Sequence, residues 1–165
     1  ATTEIYTLSL HDALPICMLQ ERGISSYLLL GGNSSISLGH NPNGVSYQGQ
    51  KGYTKVFLED LPGHYFLSKE ESISTSSDFR QRYEIDDEVY SHIVNPFTGS
   101  AKKGIDAVVA RGQNAAVLDA LTTAVYCQGI EAAPIYETKF DVSFLIIEDQ
   151  KIVYASTGFE VLEGD

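Results

Sequence analysis

The stretch NAAVLDALTTAVYCQ, from Asn114 to Gln128, is the one strongly helical segment of the chain, and Gly129 closes it. On a wheel of about 100° per residue, Leu118, Leu121 and Val125 share one face, which predicts packing against a sheet. Ala115, Asp119 and Thr123 stack on another face, one turn apart. Ala116 and Ala120 flank them, so a ligand has room to approach the helix. A carboxylate and a hydroxyl are both hard oxygen donors, the kind Mg2+ takes. That ion keeps several waters and needs only one or two carboxylates. The alternative is a solvated Asp119, with Thr123 bonded back to its own helix backbone.

Outward from this helix the chain reads mostly as strands. IDAVVAR precedes it, and KFDVSFLIIED and KIVYAST follow as a hairpin turning at Asp149-Gln150. Further upstream, SISTSSDFRQRYEID predicts two strands with a polar interruption at Ser76-Ser77-Asp78. GYTKVFLED predicts a strand with Tyr53, Val56 and Leu58 in the core. LPGHYFLSKEE carries a turn at Pro62-Gly63, and NPNG a turn with Pro42 at its second position. SSYLLLGG predicts a buried strand ending on Gly31-Gly32, and SSISLGH a second strand. Met18 to Gly23 predicts the last turns of a helix stopped by Gly23. The fold class is α+β: a mixed, mostly antiparallel sheet packed on a few helices, in one domain from about Met18 to Asp165.

The chain has 165 residues, enough for one core, with 43% hydrophobic and 20% charged residues. The net charge of −11 argues against nucleic acid as a partner, which requires clustered Lys and Arg. No apolar run reaches the ~20 residues that span a bilayer. Cys17 and Cys127 form no CxxC, so neither a disulfide framework nor a zinc site is expected.

Three further stretches carry candidate chemistry. In SHIVNPFTGS, His92 follows an apolar strand and can move a proton near neutral pH. Asn95-Pro96 favours a turn in which the Asn side chain accepts from amides two residues on, and Thr98-Gly99 offers a hydroxyl and a flexible backbone. The alternative is an Asx turn beside an ordinary surface histidine. In LLLGGNSS, Gly31-Gly32 can present amides to an anion, or form a tight turn. In SISTSSDF the hydroxyls can bind a polar ligand, or satisfy a bulge in an edge strand.

The order GGN, SISTSSDF, YSHIVNPFTG, LDALTTAV and STGFE resembles the C-terminal half of the FAD:protein FMN transferase family, the ApbE-like flavin transferases. That family carries Gly-Gly-Asp/Asn, Ser-Thr-Ser-Gly-Asp-Tyr, His-Ile-Ile-Asp-Pro-x-Thr-Gly, Ala-Asp-Ala-Leu-x-Thr-Ala and Ser-Ser-Gly-Phe-Glu. The resemblance runs from Met18 to Glu160. It implies cleavage of the FAD pyrophosphate, release of AMP, and attachment of FMN to a Thr or Ser of an acceptor flavoprotein subunit. It also implies roles: Asp119 and Thr123 as Mg2+ ligands, His92 at the reacting phosphates, and Gly31, Gly32, Asn33, Ser76, Thr98 and Gly99 around the flavin nucleotide. Family members often act outside the cytoplasmic membrane, frequently tethered by an N-terminal lipid.

Asn95 stands where the family has Asp, and Ser77 and Phe79 stand where it has Gly and Tyr. The opening ATTEIYTLSLHDALPI, through Ile16, resembles the translation of a DNA sequencing-library adapter, with Cys17 at the junction. The alternative is a genuine amphipathic start with Leu8, Leu10 and Leu14 as its apolar positions. On the adapter reading, residues 1–17 are not native, and an upstream segment resembling Asp-Leu-Gly-Gly-x-Ala-Lys-Gly-Tyr is expected to be missing. The chain is then an incomplete copy with weak or no activity. Two rival functions remain: a non-catalytic flavin-binding or partner-docking domain, and an FAD pyrophosphatase with no protein acceptor.

Overall fold

The computed structural model describes residues 15–32, 34–78, 82–85, 88–101 and 104–164. A helical stretch α1 (15–21) comes first. Nine strands follow: β1 (Leu28–Gly31), β2 (Ser35–Leu38), β3 (Val45–Tyr47), β4 (Gln50–Phe57), β5 (His64–Ser68), β6 (Ser72–Ser77), β7 (Arg82–Ile85), β8 (Glu88–Ser91) and β9 (Ala107–Gly112). Then come α2 (Ala115–Gln128), a 3-10 turn (Ile130–Ala132), α3 (Ala133–Phe140), β10 (Ser143–Glu148), β11 (Lys151–Ala155) and β12 (Val161–Glu163).

Six strands form the main sheet in the order β1-β2-β6-β9-β10-β11, and four form a second sheet in the order β12-β5-β4-β3. Strands β7 and β8 pair separately. The pairings among the described strands are antiparallel. Alternation along β9 and β10 sends Val108, Ala110, Phe144 and Ile146 to one face, where they pack on Leu118, Leu121, Val125 and Tyr126 of α2. It sends Ala107, Val109, Leu145 and Ile147 to the other face, against Val56, Leu58 and Phe66 on and beside the second sheet. The main sheet is therefore the middle of three layers. Its inner strands are covered on both sides, which is why AVVA and FLII are unbroken apolar runs.

Helix α2 fits its predicted bounds. The Asn114 side chain accepts from the Val117 amide at 3.1 Å and caps the first turn. The last turn ends at Gly129, whose φ of +106° favours glycine. The 15–21 helix likewise stops at Gly23, with φ +70°. The terminal hairpin turns at Asp149 and Gln150, both at positive φ (50° and 55°), as a two-residue connection requires.

Several expectations are corrected. Strand β1 is not buried: it lies at the edge of the main sheet, with Leu28 and Leu30 60% and 62% exposed. Strand β6 is not an edge strand but an inner one, and it runs through Ser76 and Ser77 instead of breaking there. Tyr53 is half-buried, set edge-on to Tyr47, while Val56 and Leu58 are core residues as expected. Lys139 and Phe140 end α3 and do not begin a strand. Helix α3 escapes a periodicity reading because its short span buries little of its own surface: Ala133 is buried, while Ile135 and Phe140 stay exposed.

Candidate functional site

Ser74 and Ser76 of β6 point at α2. Ser74 is fully buried and donates to Asp119 Oδ1 at 3.4 Å, a long contact. Ser76 Oγ meets two hydroxyls of α2, Thr122 Oγ1 at 3.0 Å and Thr123 Oγ1 at 3.1 Å. Thr122 and Thr123 both reach the Asp119 carbonyl, at 3.0 and 3.2 Å. The back-bonded threonine, one of the two readings of this helix, is therefore present, and it coexists with the hydroxyl cluster.

Three hydroxyl protons serve the four contacts of this cluster. The Asp119 carbonyl can only accept, so Thr122 and Thr123 donate to it. The single Ser76 proton then goes to Thr122 or to Thr123. In either arrangement the Thr123 oxygen keeps a lone pair that this cluster does not use.

The loop bearing His92 is fastened to the far end of the same helix. Tyr126 donates from α2 to Ser91 Oγ at 3.3 Å, and Asn95 donates to the Cys127 carbonyl at 2.9 Å. Between these anchors His92 is exposed. Asp119 and Tyr126 are separated by about 10 Å along the helix axis, at ~1.5 Å per residue. The Asx turn forms as expected: Asn95 Oδ1 accepts from Phe97 and Thr98 amides at 2.9 and 3.3 Å. Thr98 Oγ1 accepts from the Ser100 amide, and Gly99 holds φ +67°; both residues are exposed.

The glycine pair lies at the edge of the main sheet, on the row of Ser74. Gly31 pairs with Ser35, and Ser35 with Ser74, so the three form one row across the sheet. That row spans about 10 Å, two strand spacings of ~4.8 Å. Gly32 turns the chain with φ +63°, and the Thr75 amide of β6 bonds the Ser34 carbonyl at 2.7 Å just beyond it. Asn33 lies outside the described residues. The sheet and helix thus bring Ser74, Ser76, Asp119 and Thr123 together, while Gly31 lies two strands away and His92, Thr98 and Gly99 sit on a loop docked at the C-terminal turn of α2.

Sequence reasoning singled out Ser76 but not Ser74 or Thr122. The period-two alternation of SISTSS carried the signal for Ser74, since residues 72, 74 and 76 must share a face. A cleft of about 390 Å3 opens elsewhere, beside α1, around Tyr27, Ser37, His40, Glu70, Ser72 and Gln113. It touches β6 at the opposite end from Ser76.

The donor set fits Mg2+ in kind. One carboxylate and one hydroxyl with spare lone pairs suit a hard ion that keeps waters and draws other ligands from phosphates. Among the described residues no group of three or more His, Cys, Asp or Glu is placed to hold a metal.

On the opposite face of β6, Ser77 donates to the buried Asp60 at 2.7 Å. Burial pushes the Asp60 carboxyl above its usual range, against the lowering effect of that hydrogen bond.

A three-layered antiparallel fold, with a serine-bearing inner strand facing an Asp-and-Thr helix, defines the class. The sequence matches the model of the ApbE family over residues 14–145, and the chain belongs to that family. The fold is similar to that of the flavinyl transferase ApbE of Pseudomonas stutzeri (TM-score 0.63, 24% identity, 87% of this chain and 45% of that one). It is also similar to the flavin transferase ApbE of Vibrio cholerae (TM-score 0.58, 22% identity, 87% and 46%) and to the ApbE protein of Thermotoga maritima (TM-score 0.56, 19% identity, 80% and 40%). The chain spans less than half the length of each of these proteins. No curated protein matches the sequence.

Proposed function

We propose that this chain carries the metal- and phosphate-handling part of a Mg2+-dependent FAD:protein FMN transferase. The observation that carries the reading is the pairing of Asp119 and Thr123 one turn apart, each met by a buried serine of β6. Membership of the ApbE family supports it. Asp119 and Thr123 are the residues that would hold Mg2+, which when bound neutralises charge on the FAD diphosphate.

In this reading Gly31, Gly32, Asn33, Thr98 and Gly99 line the flavin nucleotide, with Ser76 at the floor of that site. The phosphoanhydride bond of FAD breaks, AMP leaves, and a phosphoester forms between FMN and a Thr or Ser hydroxyl of the acceptor subunit. His92, exposed on its loop, takes the proton of that hydroxyl. An extracytoplasmic setting, with or without a lipid tether, belongs to the same proposal.

The test is to incubate the chain with FAD, Mg2+ and an acceptor subunit, following AMP by chromatography and bound flavin by in-gel fluorescence. AMP together with labelled acceptor supports transfer, and AMP with free FMN turns the reading into hydrolysis. Turnover that persists in Asp119→Ala, or flavin binding by the chain that Mg2+ leaves unchanged, would sink it.

A further inference from the structure

The serines of β6 contribute something the proposed metal ligands cannot supply for themselves. An Asp and a Thr on a helix surface each have several rotamers, and a threonine hydroxyl there has two carbonyls to choose from. Here both side chains are met from below by an inner strand. Ser74 is 0% exposed and Ser76 8% exposed, so neither competes with bulk water for its partner. Ser74 directs its proton to one oxygen of Asp119. Ser76 lies within hydrogen-bond reach of both Thr122 and Thr123, and together with the Asp119 carbonyl it holds the Thr123 hydroxyl from two sides. The two serines stand two residues apart on one face of β6, and Asp119 and Thr123 one turn apart on α2. The strand repeat of ~6.6 Å is close to the ~6 Å rise over the four residues from Asp119 to Thr123, so Ser74 lies by Asp119 and Ser76 by Thr122 and Thr123.

We infer that Ser74 and Ser76 are positioning residues that orient Asp119 and Thr123 toward a divalent cation. The inference rests on the metal reading above and extends it to two residues that would not touch the ion. Groups in such outer positions typically alter metal affinity tenfold to hundredfold.

The experiment measures Mn2+ affinity of the intact chain by paramagnetic resonance for wild type, Ser74→Ala, Ser76→Ala and Asp119→Ala, with a melting temperature for each. The expected result is loss of binding in Asp119→Ala and about tenfold or greater weakening in each serine variant, with folding retained. If Asp119→Ala binds as wild type does, the metal reading itself fails. If Asp119→Ala loses binding while the serine variants stay within about twofold of wild type, the metal reading stands and the positioning role is overturned. A packing role for the serines would give that second pattern with lowered melting temperatures. A metal-free arm reads the Thr123 side-chain rotamer by three-bond NMR couplings. One rotamer is expected in wild type and two in Ser76→Ala, and an unchanged rotamer contradicts the inference even where Mn2+ affinity is too weak to measure.

Discussion

Asn95 joins its turn to the end of α2 through both halves of its amide: Nδ2 donates to the Cys127 carbonyl at 2.9 Å, while Oδ1 accepts from the Phe97 and Thr98 amides. Only one orientation of the amide satisfies all three contacts. The loop carrying His92 is thereby fixed to the helix carrying Asp119 and Thr123. The Asp that the family pattern has at this position would keep the two acceptor contacts, but as a carboxylate it has no proton for the carbonyl.

Asn95→Asp is therefore expected to destabilise the chain by about 1–3 kcal/mol at neutral pH, since the Cys127 carbonyl loses a donor and faces a charge. Urea denaturation measures this. The penalty should shrink once the pH falls low enough to protonate the new carboxyl. An Asn95→Asp chain as stable as wild type at neutral pH would contradict the account of this turn.

Glu137 of α3 accepts hydrogen bonds from Tyr154 at 2.9 Å and from Ser156, tying the helix to β11 and the segment after it. Burial first, and the Glu137 carboxylate second, push the Tyr154 phenol up from 10.0 to about 12. A phenol whose folded pKa is raised favours its neutral form, so its contribution is intact below pH 10.0 and is lost as the pH rises toward about 12. Tyrosinate absorbance, taken as the difference between wild type and Tyr154→Phe, should show this late titration. Glu137→Gln should lower it only part of the way, because burial remains. A return to the ordinary value in Glu137→Gln would show that the carboxylate was the larger cause.

Asp60 works in the opposite pH range. Its carboxyl is raised above 3.8 mainly by burial, so the charged form is the unfavourable one in the folded chain. Its effect on stability is best below the unfolded pKa and worsens as the pH rises through the folded pKa. Asp60→Asn retains an oxygen to accept from Ser77 and removes the charge. It is expected to melt higher than wild type at neutral pH, with the difference closing in acid. A lower melting temperature at neutral pH would mean that the ionised carboxylate is stabilised by its neighbours.

The main helix, the terminal hairpin, the turn chemistry and most strands were legible because each depends on local pattern. The limits of α2 follow from its apolar period and Gly129, and the terminal hairpin from the Asp149-Gln150 turn. Burial was less legible where tertiary order decides it. Nothing within LLLG says that β1 is an edge strand, and nothing within SISTSS says that β6 lies between β2 and β9. Strands β3, β5 and β12 were missed because each is short and depends on its neighbours in the second sheet. The same limit applies to the candidate site. Asp119 and Thr123 share a helix face by simple periodicity, but Ser74 meets Asp119 only through a contact between residues 45 positions apart.

In the proposed site Asp119 and Thr123 present their oxygens to one cation beside the FAD diphosphate. Crystals of the chain grown with Mn2+ and FAD, measured at the manganese absorption edge, would locate that cation. The expected result is an anomalous peak about 2.0–2.3 Å from an Asp119 carboxylate oxygen and from Thr123 Oγ1, with a flavin nucleotide phosphate also in the shell. A manganese peak bound elsewhere while these two oxygens remain bare, or FAD seated with its diphosphate remote from them, would contradict it.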